Sequence, residues 1–251
     1  MVPRDQAPAV TRAFDILEYL QKRNGAASLN EIATAQEIPR ASAFRIMRTL
    51  LARGYVAQPK HDGLYVLGAS FLALGSRSLI HSNLSEIANP FMYELAAVSG
   101  QTVQLGVLFE YQVIYVEQIR VAISLTFAVP TYQPYAVNLS AGGKVLVAYL
   151  AKARQLEFLE NAALIQNTPR TITDKAAFVH ELQKVRKQGY AIDDEEFAQG
   201  VRCVAAPIFD SHGKNVASIG VTGHILEVTD RKIGQVVKQT VAAARRLSHA
   251  L

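Results

Sequence analysis

Apolar residues recur at helical spacing near the start of the chain. In the segment AVTRAFDILEYLQKR, residues Val10, Ala13, Phe14, Leu17 and Leu20 follow one another at steps of one or three positions. Such spacing predicts an amphipathic helix that buries this stripe against a core.

Two further helical segments follow. In SLNEIATA, Ser28 and Glu31 have the spacing of a capping box, so a short second helix is expected to begin there. After the break AQEIP, the segment RASAFRIMRTLLARG has the periodicity of a third helix, which Gly54 can end in a left-handed conformation. One face of this third helix is apolar, with Ala43, Ile46, Met47 and Leu50.

The opposite face of the third helix is basic. Between Arg40 and Arg53 the chain has four arginines and no acidic residue. The helix begins with the small residues Ala41 and Ser42, where a helix end would press against DNA. These features are typical of a recognition helix.

Two short apolar and aromatic runs come next, joined by Lys60, His61, Asp62 and Gly63. Asp-Gly is a favoured hairpin turn, so three helices plus a hairpin predict a winged helix-turn-helix. The alternative is a small helical cap with a surface hairpin. The residues expected to contact DNA are Arg40, Ala41, Ser42, Phe44, Arg45, Arg48, Lys60 and His61.

Most of the remaining chain lacks the regular strand and helix repeat of a parallel sheet. The runs TVQLGVLF, QVIYVEQI and ISLTFAV have short breaks between them, and VRCVAAPIF and NVASIGVTG flank the turn DSHGK. This pattern is typical of antiparallel strands. With the intervening and C-terminal helical segments, it predicts an α+β fold in which an antiparallel sheet is flanked by helices.

Charge separates the two halves. Residues 1–80 have 10 Lys and Arg against 6 Asp and Glu, whereas residues 81–251 have 16 against 15. A basic N-terminal module on a nearly neutral body is expected of a nucleic-acid-binding protein, although a solvated basic face would give the same charge pattern.

Composition narrows the setting. Half of the residues are apolar, which is enough for a packed core, and no apolar run approaches the roughly 20 residues needed to span a bilayer. The N-terminal MVPRDQAPAV lacks the apolar core of a secretion signal, and a single cysteine cannot form an internal disulfide. We expect a cytoplasmic protein with no membrane partner.

Several segments together resemble one protein family. AVTRAFDILEYL, SLNEIA, IPRASAFRIMRTLLARGYV, YVLG, VNLSAGGKVLVAYL, TPRTITD and GYAIDDEEFAQGVRCVAAPIFD are similar, in this order, to segments of the IclR family of bacterial transcription regulators. The resemblance covers nearly the whole chain. It implies a winged helix-turn-helix DNA-binding domain at 1–67, a linker helix at 68–82 that pairs subunits, and a GAF-like effector-binding domain at 83–251.

The resemblance also implies an effector site. A helix N-terminus can receive an anion, and the other positions supply a carboxylate, a thiol and a hydroxyl, which suits a small organic acid. The implied effector-binding residues are Ser140, Ala141, Gly142, Gly143, Asp193, Cys203, Gly220 and Thr222. Lys144 is expected to hold the neighbouring loop, and Glu195 and Glu196 to cap a turn or pair with Arg202.

Three positions depart from the family pattern. Ala41 stands where a hydroxyl residue is often found, Gly143 where a bulkier residue is usual, and Gly220 where a serine is expected. The change at Gly220 removes a hydroxyl and implies room for a ligand larger than the smallest keto-acids.

Asp193 to Glu196 form an acidic run of four consecutive carboxylates close to Cys203, for which metal binding and catalysis are the other possible roles. The carboxylates are consecutive and Cys203 has no partner thiol, so neither a metal site nor a cofactor is predicted. No catalytic residue is predicted either. A cysteine nucleophile would need a base, for which His224 is the only candidate, and without the resemblance Cys203 would be read as a core residue.

These observations predict a transcription regulator whose affinity for a pseudo-palindromic double-stranded DNA operator changes with a small keto-, hydroxy- or aromatic acid. A homodimer or homotetramer is expected, because one winged helix reads few base pairs. The alternatives are a small-acid-converting enzyme that uses Cys203, and a constitutive architectural DNA-binding protein without a ligand.

Overall fold

The chain divides into two compact units, Met1–His81 and Ser82–Leu251. A computed structural model describes residues 7–23, 25–59, 63–71, 74, 82–121 and 127–251, the side chains of 82 and 83 excepted. Most of the expected linker helix at 68–82 lies outside these residues, as do Lys60 and His61.

The N-terminal unit is a winged helix-turn-helix. Its elements are α1 (Pro8–Arg23), β1 (Ala27–Ser28), α2 (Leu29–Ala35), α3 (Arg40–Ala52), β2 (Val56–Ala57) and β3 (Leu64–Leu67). The three short strands pair antiparallel in the order β1-β3-β2. The predicted three helices and hairpin are therefore confirmed.

Local signals set the ends of α2 and α3. The Ser28 hydroxyl accepts from the N–H of Glu31 at 3.3 Å, and the Glu31 carboxylate accepts from the N–H of Ser28 at 2.8 Å, so the predicted capping box forms. Gly54 follows α3 with a φ of 71°, a conformation that glycine adopts without strain.

The buried stripe of α1 is rotated from the predicted one. Ile16, Leu17 and Leu20 are buried, whereas Val10 and Phe14 are 54% and 58% exposed. Both lie along an apolar groove of about 440 Å³ whose other walls come from α3, from Tyr55 and from residues after β3. The prediction that they are core residues was wrong, because the core of this unit meets only the second half of α1.

The C-terminal unit is built on one antiparallel sheet. Its elements are α4 (Ser82–Ser99), β4 (Thr102–Phe109), β5 (Gln112–Ile119), β6 (Pro134–Ala136), a 3-10 turn (Val137–Leu139), α5 (Ala141–Ala148), α6 (Lys152–Asn161), α7 (Lys175–Gln188), β7 (Ala191–Asp194), β8 (Val201–Phe209), β9 (Asn215–His224) and α8 (Ile233–Ser248). The strand order is β6-β5-β4-β9-β8-β7. This confirms the predicted α+β class.

Helices cover both faces of the sheet. On β9, Ala217, Ile219 and Val221 belong to the apolar core shared with α4 and α8. Strand residues alternate between faces, so Ser218 and Thr222 point to the other face, against which α5 packs. Every residue of α5 is buried. The polar groups of interest therefore lie between the sheet and a fully buried helix.

One predicted strand lies mostly outside the described residues. Residues 123–126 of ISLTFAV are not described, and Phe127 and Val129 are not in a strand. The strand beside β5 is instead β6, with Val113 opposite Tyr135. Among the helices of the described residues, none is long and apolar enough to cross a membrane.

Candidate functional site

The exposed face of α3 is basic and aromatic. Burial of Ala43, Met47 and Leu50 leaves Phe44, Arg45 and Arg48 turned towards solvent. The Arg48 guanidinium lies 5.9 Å from the centre of the Phe44 ring, a cation-π distance that holds both side chains on the helix surface.

Three arginines surround an open depression at the C-terminal half of α3. Arg45, Arg48 and Arg53, together with Thr49 and Ala52, line a volume of about 450 Å³ without any acidic side chain. At the start of the helix, Arg40 and Ala41 are exposed and Ser42 is half-buried. This surface can receive a polyanion.

A line of polar residues crosses four strands of the C-terminal unit. Asp193 on β7 lies opposite Cys203 on β8, Cys203 opposite Thr222 on β9, and Thr222 opposite Thr102 on β4. Opposite residues point to the same face of a sheet, with strands about 4.8 Å apart. The sheet thus brings together Asp193, Cys203 and Thr222, three residues of the predicted effector site that span 29 positions of the sequence.

Asp193 is the most unusual group in this line. Its side chain is fully buried, and one oxygen accepts from the N–H groups of Glu196 at 2.7 Å and Phe197 at 3.2 Å. The other oxygen has no partner among the described residues. Burial, and then the Glu196 carboxylate, raise the pKa of Asp193 to about 7. It can therefore accept or donate a proton near neutral pH.

Lys144 holds the loop that contains Asp193. Its ammonium is fully buried, donates to the Glu196 carboxylate at 2.7 and 3.0 Å, and also donates to the carbonyl of Ile192. Burial raises the pKa of Glu196, and the Lys144 charge opposes part of that rise. The predicted structural role of Lys144 agrees with these contacts.

Glu195 and Glu196 were expected to cap a turn or pair with Arg202, and neither of them pairs with Arg202. Arg202 contacts Asp194 at 2.6 Å and Asp230 at 2.8 Å, whereas Glu195 accepts from the N–H of Gly200 at 2.9 Å. Asp194 and Arg202 are directly opposite on β7 and β8, a pairing that depends on strand register. Glu195 does cap a turn, as expected.

The N-terminus of α5 offers fewer free groups than predicted. The Ser140 hydroxyl accepts from the N–H of Gly143 at 3.1 Å, so that N–H is not free for an anion. The N–H groups of Ala141 and Gly142 lie in the first turn of the helix, where no intrahelical carbonyl is available to accept from them. A Cβ at Gly143 would lie 2.5 Å from the Val137 carbonyl, so a bulkier residue does not fit this backbone.

An aromatic wall beside the site was missed by sequence reasoning. Tyr115 on β5 is buried, and its hydroxyl interacts with Ser140, while burial raises its pKa. Tyr135 lies 6.0 Å from Tyr115 and 5.9 Å from Phe197, and Phe197 lies 5.8 Å from Phe127, measured between ring centres. The alternation of Val113 and Tyr115 along β5 was the one available signal.

Comparison with known proteins decides the family. Residues 76–249 match the family described as bacterial transcriptional regulator IclR C-terminal, and residues 9–60 match the IclR helix-turn-helix domain. The chain belongs to the IclR family. It is 30% identical to the transcriptional repressor IclR of Escherichia coli K12 over 98% of this chain and 90% of that protein.

Solved structures of other members share the fold. The IclR of Thermotoga maritima superposes with a TM-score of 0.79 at 29% identity, covering 96% of this chain and 98% of that one. An IclR homolog from Microbacterium hydrocarbonoxydans, complexed with 4-hydroxybenzoate, superposes with a TM-score of 0.84 at 21% identity, covering 97% and 98%. The resemblance stated from sequence is confirmed.

Cys203 in this IclR-family chain lacks the environment of a nucleophile. The residue is half-buried, and burial followed by the nearby Asp193 raises its pKa well above the usual range. The base suggested from sequence, His224, lies opposite Val201 and accepts from the N–H of Leu226 at 3.2 Å. No group of three or more His, Cys, Asp or Glu in the described part could hold a metal ion.

Gly220 gives less room than the sequence implied. A Cβ there would lie 3.0 Å from the Val204 carbonyl and 3.2 Å from the Cβ of Ala205, so it would press against β8. Directly opposite Gly220 on β4 is Gln104, which is buried. Since no serine is present at position 220, Gln104 is the polar side chain at this point of the sheet.

Proposed function

We propose that this IclR-family protein is a transcription regulator whose operator affinity changes when a small organic acid binds beside Asp193. The observation that carries the proposal is the buried Asp193 oxygen that has no partner among the described residues, in line with Cys203 and Thr222. A buried polar atom without a partner is destabilising, so a ligand group that satisfies it would bind with a favourable free energy.

The site favours a flat acid with a second polar group. The N–H groups of Ala141 and Gly142 can meet a carboxylate, Asp193 can meet a hydroxyl or hydrate, and the aromatic wall can contact a ring. The Microbacterium homolog holds 4-hydroxybenzoate on the same fold. We therefore propose a keto-, hydroxy- or aromatic acid as the effector, bound by the predicted effector-binding residues.

On the DNA side, we propose that α3 enters the major groove with Arg45 and Arg48 towards phosphates or base edges. Lys60 and His61 would contact the backbone from the wing. A homodimer or homotetramer would read a pseudo-palindrome with half-sites about 10 bp apart, or a multiple of that spacing. The proposed domains remain 1–67, 68–82 and 83–251.

A thermal-shift screen of organic acids followed by DNA-binding assays tests the effector proposal. The acid that stabilises the protein should also change its operator affinity, and Asp193→Ala should remove most of the stabilisation. Glu160→Gln, an exposed carboxylate on α6, is the matched control and should respond like the parent. An acid response that survives Asp193→Ala unchanged would remove Asp193 from the site.

The enzyme alternative lacks support at Cys203. A thiol whose pKa is raised by burial and by the neighbouring Asp193 carboxyl is a poor nucleophile at neutral pH. We therefore propose that the protein regulates without turnover. Conversion of a bound acid by the purified protein, lost in Cys203→Ala, would reverse that conclusion.

A further inference from the structure

Four polar side chains form a connected path towards Cys203. Gln104 and Gln118 lie opposite each other on β4 and β5, with their amide ends 2.9 Å apart. The far side of the Gln104 amide lies 2.9 Å from the Thr222 hydroxyl, and the far side of the Gln118 amide meets Arg120. Gln104 and Thr222 are nearly fully buried, whereas Arg120 is exposed.

Arg120 decides which way the Gln118 amide points. If Gln104 donated to the Gln118 oxygen, the Gln118 NH2 would face the guanidinium, donor against donor. In the reverse orientation the Gln118 oxygen accepts from Arg120 Nε at 2.9 Å and Nη2 at 3.2 Å, and its nitrogen donates to the Val129 carbonyl at 3.3 Å. A guanidinium has donors only, so the reverse orientation is the favourable one.

This orientation propagates to Thr222. The Gln118 NH2 now faces Gln104, so the Gln104 atom that meets it must be the oxygen. The Gln104 nitrogen then faces the Thr222 hydroxyl and donates to it. Because that hydroxyl oxygen accepts from Gln104, its own proton is free to point elsewhere. The residues opposite are Cys203 on β8 and Thr102 on β4, and the Cys203 sulfur lies within hydrogen-bond reach of the Thr222 hydroxyl.

We propose that Arg120, through Gln118 and Gln104, makes the Thr222 hydroxyl a hydrogen-bond donor towards Cys203 and the effector space beside it. Arg120, Gln118 and Gln104 are positioning residues in this arrangement. The consequence for recognition is a preference for an acceptor, such as a carboxylate oxygen, at this point of the site. That consequence rests on the proposed effector function, whereas the direction of the relay does not.

Cys203 is a reporter for the relay, because it is the only cysteine in the chain. A hydroxyl that donates to its sulfur stabilises the thiolate, the form that reacts with iodoacetamide. In Gln118→Glu the new carboxylate cannot donate, so the Gln104 amide turns its nitrogen to it and its oxygen to Thr222. The hydroxyl then donates to Gln104 instead of the sulfur.

The experiment measures Cys203 alkylation from pH 7 to 10 by mass spectrometry in four proteins: parent, Gln118→Glu, Thr222→Val and the double variant. Gln118→Glu should slow alkylation at pH 8 by about tenfold, equal to about one pH unit in the profile. In the Thr222→Val background it should leave only the smaller slowing due to its charge. The difference between backgrounds measures the relay.

An equal slowing in both backgrounds, or none in either, would overturn the relay. Should Gln118→Glu fail to fold, a neutron structure of the deuterated parent decides the matter by locating the deuterium atoms. Nitrogen density of Gln118 facing Arg120 would contradict the proposal, and a Thr222 deuterium directed at Cys203 would support it.

A second arm separates the relay from the effector proposal. Thermal shifts are compared for 4-hydroxybenzoate and its neutral match 4-hydroxybenzamide. If the acid binds, its stabilisation should exceed that of the amide in the parent, and Gln118→Glu should reduce the difference. If neither compound binds, the aromatic-acid part of the proposed function loses support, while the alkylation result still decides the relay.

Discussion

The basic face of α3 and the buried site of the C-terminal unit use charge in opposite ways. Arg45 and Arg48 on α3, and Arg53 directly after it, form no ion pair within the described residues, and all three are exposed to solvent. Lys144 is fully buried, and its ammonium is held by Glu196 and a backbone carbonyl. The first surface needs an external anion to complete it, whereas at the second the charge of Lys144 is already paired and the described buried polar side-chain atoms left without a partner are one Asp193 oxygen and the Thr102 hydroxyl. One is built for long-range attraction, the other for discrimination at short range.

Lys144→Met should have the largest effect of these substitutions, a loss of stability at the buried site. It leaves the Glu196 carboxylate buried without its counter-charge, which typically destabilises by about 3–5 kcal/mol. Urea unfolding followed by circular dichroism should show the loss. Glu196 then gains a proton more readily, so the deficit should shrink as the pH is lowered.

Lys184→Met is the control for this variant. Lys184 lies 3.4 Å from Glu181 on the surface of α7, with 58% of its side chain exposed. Exposed pairs contribute little, so the urea midpoint should hardly move. Similar losses in both variants would mean that the burial of Lys144 is not what matters.

Asp193→Asn should change how stability depends on pH. The pKa of Asp193 in the folded protein is raised to about 7, so the folded state holds this proton more tightly than the unfolded chain does. The resulting stability is present below about pH 4 and is lost as pH rises through 7. Asn cannot ionise, so at pH 8 the free energy of unfolding of the variant should exceed that of the parent by up to about 4 kcal/mol.

Thermal unfolding at pH 5 and pH 8 checks this. The unfolding temperature of the variant, relative to that of the parent, should be higher at pH 8 than at pH 5. A constant difference across this range would show that Asp193 is already ionised at pH 5. Anionic ligands should likewise bind the parent more tightly at pH 6 than at pH 8, because the protonated form removes a neighbouring charge.

Arg45→Ala should weaken DNA binding by about tenfold and reduce the slope of log affinity against log salt by about 1. The target is a fragment selected by the protein from a random pool, and fluorescence anisotropy gives the affinity. Arg154→Ala removes the same charge from α6 and serves as the control. Equal effects of the two substitutions would take α3 out of the interface.

Ser28→Ala should have the smallest effect. Loss of the α2 cap costs about 1 kcal/mol in the N-terminal unit, because the N–H of Glu31 loses its acceptor. Thermal unfolding of that unit should shift down by a few degrees, while Ser28→Asp should restore it. Loss of the C-terminal transition instead would contradict the independence of the two units.

Much of the fold followed from local rules. The capping box at Ser28, the turn at Gly54 and the strands β4 and β5 were all predicted, because period and caps are encoded within a few residues. The exposure of Val10 and Phe14 was not predicted, because the side of a helix that meets a core depends on how large that core is. A single sequence does not carry that quantity.

The candidate site was less predictable because its partners come from distant strands. Asp194 pairs with Arg202, and Glu196 with Lys144, only because β7 and β8 have a particular register and α5 crosses them. The family resemblance supplied Asp193, Cys203 and Thr222. It did not supply Gln104 or Gln118, whose meaning depends on the direction of hydrogen bonds.

The close approach of Gly143 to the Val137 carbonyl bears on how such regulators diverge. A chain with a larger residue at this position must displace the turn at Val137–Leu139, and with it the first N–H groups of α5. Effector preference could then drift through the backbone while every lining side chain stays the same. A comparison of lining residues alone would then group together two proteins that respond to different metabolites.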